Sequence, residues 1–177
     1  VKLDVAGLAE LFYPTVDSLG EFVEVDSMAM PEAYRVLLAH EHHMTVTVEA
    51  HHGCPVDVLV FEEHAGEAVY ARKILLTRTS DGRVVQFGIV RIHWRYVSAA
   101  VRHDIETQAT PLGRILIAHD VMRRIHVASL YRVAPSDHLA DMMRLAEPRV
   151  TYGRTAMIYC DDQPAIELLE IVAPEDV

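Results

Sequence analysis

Residues 150–160 and 164–173 read as two long alternating strands around a short polar turn, Asp161-Asp162-Gln163. Such a hairpin commits the chain to an antiparallel sheet. The second strand carries a contradiction. Every second residue of a strand points to one face, so Glu170 shares its face with Ile166, Leu168 and Val172. A carboxylate in that setting must be paired or must hold its proton. Glu167 lies among Ala165, Leu169 and Ile171 on the opposite face, which is equally apolar. Alternation alone therefore does not choose between the two glutamates.

The same contradiction recurs upstream. Arg72 shares a face with Tyr70, Ile74 and Leu76, and Arg154 with Tyr152, Ala156 and Ile158. A guanidinium does not shed its charge, so a buried one needs an anion, and its planar fork suits a carboxylate in two-point contact. Two inward arginines and one inward glutamate describe a pocket for a small anionic molecule. The bland alternative is a buried Arg–Glu pair with no ligand.

Around these strands the chain reads as an α+β domain, a single antiparallel sheet of about six strands covered by helices and flaps. Segments 55–62, 67–78, 83–95 and 121–132 are further strands, with Asp81-Gly82 as a hairpin turn. Residues 4–12, a stretch opened by Pro31, 98–106 and 136–146 read as helices, the last capped by Ser136 or Asp137. Residues 44–52 are ambiguous, with Thr45, Val46, Thr47 and Val48 favouring a strand on propensity. No repeat or linker divides the chain, so one domain over 1–177 is expected.

Composition excludes several classes. With 16 basic and 26 acidic residues the formal net charge is −10, which argues against nucleic acid and against an anionic membrane surface. No apolar run approaches the ~18 residues of a membrane helix, and no signal peptide opens the chain. Cys54 and Cys160 match no metal or redox spacing and read as thiols in a reducing cytoplasm. His40-Glu41-His42-His43 and His51-His52 are the obvious metal candidates, but they lack HExxH spacing and read as solvated loop or flap histidines. No metal and no cofactor is expected.

The residues resemble the chorismate pyruvate-lyase family, nearer its actinobacterial branch, over most of the chain from Leu37 to Pro174. The resemblance runs through Leu37-Leu38 and Met44-Thr45, Tyr70-Ala71-Arg72-Lys73-Ile74-Leu75-Leu76, Phe87-Gly88 and Thr110-Pro111-Leu112-Gly113-Arg114. It ends in Tyr152-Gly153-Arg154 and Glu170-Ile171-Val172-Ala173-Pro174. It implies a sealed internal site and cofactor-free conversion of chorismate to 4-hydroxybenzoate and pyruvate. In that site Arg72 would hold the ring carboxylate, and Glu170 would face the oxygen across the ring as the acid. Leu112 and Gly113 would lie beside the ligand, and Met44 with Thr45 would pack on it from a flap. Arg154 would join them, and Arg91 would stand in for an arginine that some members carry where Ile89 lies here. The chain departs from the pattern by one extra residue between Pro164 and Glu170, and by a long 133–149 segment.

The expectation is thus a cytoplasmic lyase acting on a small anionic, chorismate-like substrate. Two alternatives stand beside it. One is a diverged enzyme of the same fold acting on another small aromatic or enolic acid. The other is a non-catalytic sensor domain of the UTRA type, found in bacterial transcription regulators.

Overall fold

The computed structural model describes residues 3–175. Seven strands form one wholly antiparallel sheet: β1 (Gly20–Val25), β2 (Val56–Ala65), β3 (Val69–Arg78), β4 (Val84–His93), β5 (Arg123–Pro135), β6 (Thr151–Cys160) and β7 (Gln163–Val172). Their order across the sheet is β1-β5-β6-β7-β4-β3-β2. The α+β reading holds with seven strands in place of about six. The added one, β1, is an edge strand in which Glu21 and Glu24 break any apolar run.

The central strands are buried on both faces. On one face Leu75, Phe87, Ile89, Leu169 and Ile171 pack with α1 (Val5–Ala9) and with Leu139 of α6 (Asp137–Met142). The other face supports two separate clusters. Ile74, Leu76 and Val172 meet α2 (Glu32–Leu38) and α3 (Met44–His52), while Val90, Ile92, Ile166 and Leu168 meet α4 (Ala99–Glu106) and α5 (Leu112–Ala118).

α3 corrects the strand propensity of residues 44–52. Its buried side chains are Met44, Thr45 and Val48, a helical spacing, and the neighbouring Val46 is 48% exposed. Packing of this stripe outweighs the β-branched preference. The Thr47 hydroxyl donates back to the His43 carbonyl at 3.3 Å, and Gly53 ends the helix in the left-handed region at φ 65°. The Pro-Leu-Gly segment is the start of α5. A Cβ on Gly113 would stand 3.1 Å from both His43 Cβ and Thr45 Oγ1, so a larger residue would push α5 away from the first turn of α3 by a few tenths of an ångström.

The extra residue after Pro164 resolves into a bulge. Asp161 and Asp162 have φ 48° and 61°, a tight two-residue hairpin turn that pairs Cys160 with Gln163. Tyr159 pairs with Pro164, but Ile158 pairs with Ile166, so Ala165 is left unmatched. From there the register brings Arg154 opposite Glu170. Without the bulge Arg154 would face Leu169, and every inward side chain of one strand would turn outward.

Candidate functional site

A cavity opens along the seam between the two helix pairs, against the even-numbered face of the sheet. Arg72, Ile74, Gln86, Gly88, Val90, Arg154, Leu168 and Glu170 form its floor. Met44 and Thr45 of α3, Leu112 and Gly113 of α5, and His43 form its roof. The cavity is small and largely enclosed, with a volume of about 40 Å³. Gly88 pairs with Ile74 on one side and Glu170 on the other, and leaves the middle of the floor without a side chain. A Cβ there would lie 3.3 Å from Ile74 Cγ1.

The structure thus brings together Arg72, Glu170, Met44, Thr45, Leu112, Gly113 and Arg154. Arg91 is the exception and is corrected. It lies on the opposite face, where its Nη2 donates to Glu167 Oε1 at 2.7 Å and its Nε to the other carboxylate oxygen. His93 approaches the same carboxylate at 3.1 Å. Burial pushes the Glu167 carboxyl up, but Arg91 and His93 outweigh it and leave it below its ordinary value. The odd parity that separates Arg91 from Arg72 also removes Glu167 from the cavity.

Arg154 and Glu170 form a pair. Arg154 is fully buried and donates from Nε to Glu170 Oε2 at 2.7 Å. Three of its other four N–H donors reach the carbonyls of Leu38 at 3.2 Å, His40 at 2.7 Å and His42 at 3.2 Å. Arg154 therefore staples the 39–43 connection to the sheet, with four of its five N–H donors spent on the protein. Of the two ways to house a carboxylate on an apolar face, pairing is the one adopted for Glu170.

Arg72 is different. It is 1% exposed, and its Nε and Nη1 have no hydrogen-bond partner. Burial lowers its pKa, with the Tyr70 hydroxyl and the Glu63 carboxylate acting in the opposite direction. Glu63 is itself engaged, accepting from the Tyr70 hydroxyl at 2.7 Å and from Gln108. A guanidinium held this way is a costly feature unless an anion completes it.

His43, read from the sequence as a loop or flap histidine, lines the cavity. Its Nε2 accepts from Arg123 Nε at 2.7 Å, which assigns the ring hydrogen to Nδ1. Burial, then Arg123 and Arg154, push its pKa down to about 4, so it is neutral near pH 7. With Arg154 and Glu170 paired, Arg72 is the cavity-lining cation without a directly paired anion, although Glu63 acts on it electrostatically. Of the other histidines, His40 contacts the Leu37 carbonyl at 2.7 Å and serves the loop. His51, His52 and Glu175 lie away from the cavity, with ligand atoms within 4.8 Å of one another. Among the described residues no helix is long and apolar enough to cross a membrane.

No protein-family model and no curated protein matches the sequence. Solved structures do share its fold. PhnF from Mycobacterium smegmatis is 14% identical at TM-score 0.56, over 73% of this chain and 63% of that one. The effector domain of that protein gives 14% and 0.55, over 74% and 88%. The ligand-binding domain of a GntR-family transcriptional regulator from Bordetella bronchiseptica gives 14% and 0.53, over 68% and 86%. This chain spans less than two thirds of the full PhnF chain. At such identity the similarity establishes the fold alone. That fold is the one shared by regulator ligand-binding domains and chorismate lyase-like proteins.

Proposed function

We propose that this chain binds a small planar carboxylate in the cavity beneath α3 and α5, with Arg72 as the anion-binding group, and that it does so as a ligand-binding domain without chemistry. The observation that carries the reading is the pair of unpartnered guanidinium nitrogens on a buried arginine at the cavity floor. A carboxylate can accept from Nε on one edge of the guanidinium or from Nη1 at its end, and a flat ring suits walls made by Val90, Leu168, Met44 and Leu112. The one cavity-lining guanidinium without a directly paired anion suits a monoanion. The fold neighbours named for effector or ligand binding support the same reading.

A second reading is the elimination of pyruvate from chorismate. It is favoured by Arg72 and Glu170 sharing one cavity, because loss of the enolpyruvyl ether makes the ring aromatic and asks the protein chiefly to position the substrate and exclude water. Against it stands the Arg154 contact, since an arginine-paired carboxylate is an acceptor rather than an acid.

One experiment separates the two. The purified chain is melted with and without excess benzoate, and separately incubated with chorismate while pyruvate and 4-hydroxybenzoate are followed. The binding reading expects a melting temperature that climbs with benzoate concentration and no pyruvate above the uncatalysed rate. Catalysed release of pyruvate would replace it by the lyase reading. A melting temperature indifferent to benzoate would contradict it.

A further inference from the structure

The last turn of α3 and the segment after β7 bring two imidazoles and a carboxylate together outside the cavity. His51, His52 and Glu175 each offer one ligand atom, and the three atoms lie within 4.8 Å of one another. Adjacent side chains on a helix diverge by about 100°. These two rings nevertheless meet edge to face, with centroids 4.8 Å apart and planes at 88°. Glu175 is held through its backbone. Its N–H donates to the Tyr34 hydroxyl at 2.8 Å, and its carbonyl accepts from Arg149 Nη2 at 3.2 Å. The carboxylate is thereby set beside His51, with Oε2 3.2 Å from Nε2. The His52 ring has no hydrogen-bond partner among the described residues and packs only on its neighbour.

We infer that His51, His52 and Glu175 form a binding site for a zinc-type divalent cation. Imidazole nitrogen and carboxylate oxygen are donors that such an ion takes, at about 2.0–2.2 Å. Two ligands on a tetrahedral zinc then lie roughly 3.3 Å apart. His51 Nε2 and Glu175 Oε2 already have that separation. The third donor is at most ~1.5 Å too far, a distance that a turn of the half-buried His52 side chain covers. A fourth position is left to water, as in other zinc sites with three protein ligands. Magnesium and calcium prefer all-oxygen sets, so two imidazoles disfavour them. A His51–Glu175 ion pair alone does not account for the unpartnered ring turned onto it. The third ligand comes from beyond β7, so no local spacing in the histidine run reports the site. A bound ion ties the outer end of α3, whose first turn roofs the cavity, to the segment that follows a floor strand. The inference is independent of what the cavity binds.

The test is calorimetric titration of the chelator-treated chain with zinc chloride, repeated with His52→Ala and Glu175→Gln, and with magnesium chloride as the contrasting ion. The expected result is one zinc per chain in the tightest phase, with affinity lower by about tenfold or more in each variant and no measurable magnesium binding. Zinc should also slow amide exchange over residues 48–53 in the wild type and not in the variants. Both variants should fold. His52→Ala removes no hydrogen bond, and Glu175→Gln leaves the backbone contacts to Tyr34 and Arg149 in place. A wild-type chain that binds no zinc would overturn the inference. So would a zinc affinity unchanged in either variant, because the set needs both residues and the ion would then sit on other histidines. Magnesium bound as tightly as zinc would overturn it as well.

Discussion

Arg72→Met should abolish measurable benzoate binding and at the same time make the empty protein more stable. The two halves have one cause. The guanidinium is 1% exposed, and two of its nitrogens go unpartnered. In the folded protein that arrangement costs about 1–3 kcal/mol per unsatisfied group. Methionine fills nearly the same volume with no charge and no donor, so the cost disappears. The ligand carboxylate would then be buried without its partner, which weakens binding by on the order of a hundredfold or more. Titration calorimetry and a denaturant melt of the same preparation read both quantities. Lost affinity with raised stability is the signature of a group kept for its ligand. A destabilised variant would make Arg72 a structural residue, and unchanged affinity would remove it from the site.

Glu170→Gln should produce the opposite pattern, with a large loss of stability. The substitution keeps the shape of the side chain but leaves Arg154 as a fully buried cation without its anion. Breaking a buried pair from one side typically costs about 3–5 kcal/mol. The three carbonyls that Arg154 also serves keep the expected value near the lower end of that range. Arg154→Met breaks the pair from the other side and also releases those carbonyls, so the 39–43 connection and the roof residue His43 should loosen. Urea unfolding measures the first effect, and amide exchange over 38–46 the second. If Glu170 were instead a proton donor, Glu170→Gln would leave stability nearly intact and slow any chorismate turnover by roughly a hundredfold or more. Glu167→Gln breaks the Arg91 contact on the far face, so it should lower stability and leave benzoate affinity unchanged.

Much of this site is legible from parity. Arg72, Arg154 and Glu170 betray themselves as charges on apolar alternations, and the even face that collects them is the cavity floor. Alternation fails at Glu167 because both faces of β7 are covered, and an apolar neighbourhood then marks neither. What separates the two glutamates is the unmatched Ala165, a register event that composition and period do not carry. Arg91 shares the odd face of Ile89, which sets it opposite Arg72 whatever family position it stands beside. α3 was obscured because Thr45, Val46, Thr47 and Val48 carry a strand preference, and only contact with α2 and α5 turns them into a helix. Gln86 gives no signal, and His43 gives only its place in the run before Met44. A glutamine or histidine on an ordinary stretch becomes conspicuous only once its neighbours are known to offer it no partner, or to hold it neutral.

The central claim is that a negative charge, and not ring burial alone, is what the cavity recognises. Titration of the wild-type chain with benzoate and with benzamide, its neutral counterpart of nearly the same shape, tests this most directly. The expected result is one benzoate per chain, with benzamide weaker by about tenfold or more because it leaves the charge of Arg72 buried and unmatched. Equal affinities, or no binding of benzoate, would contradict the account.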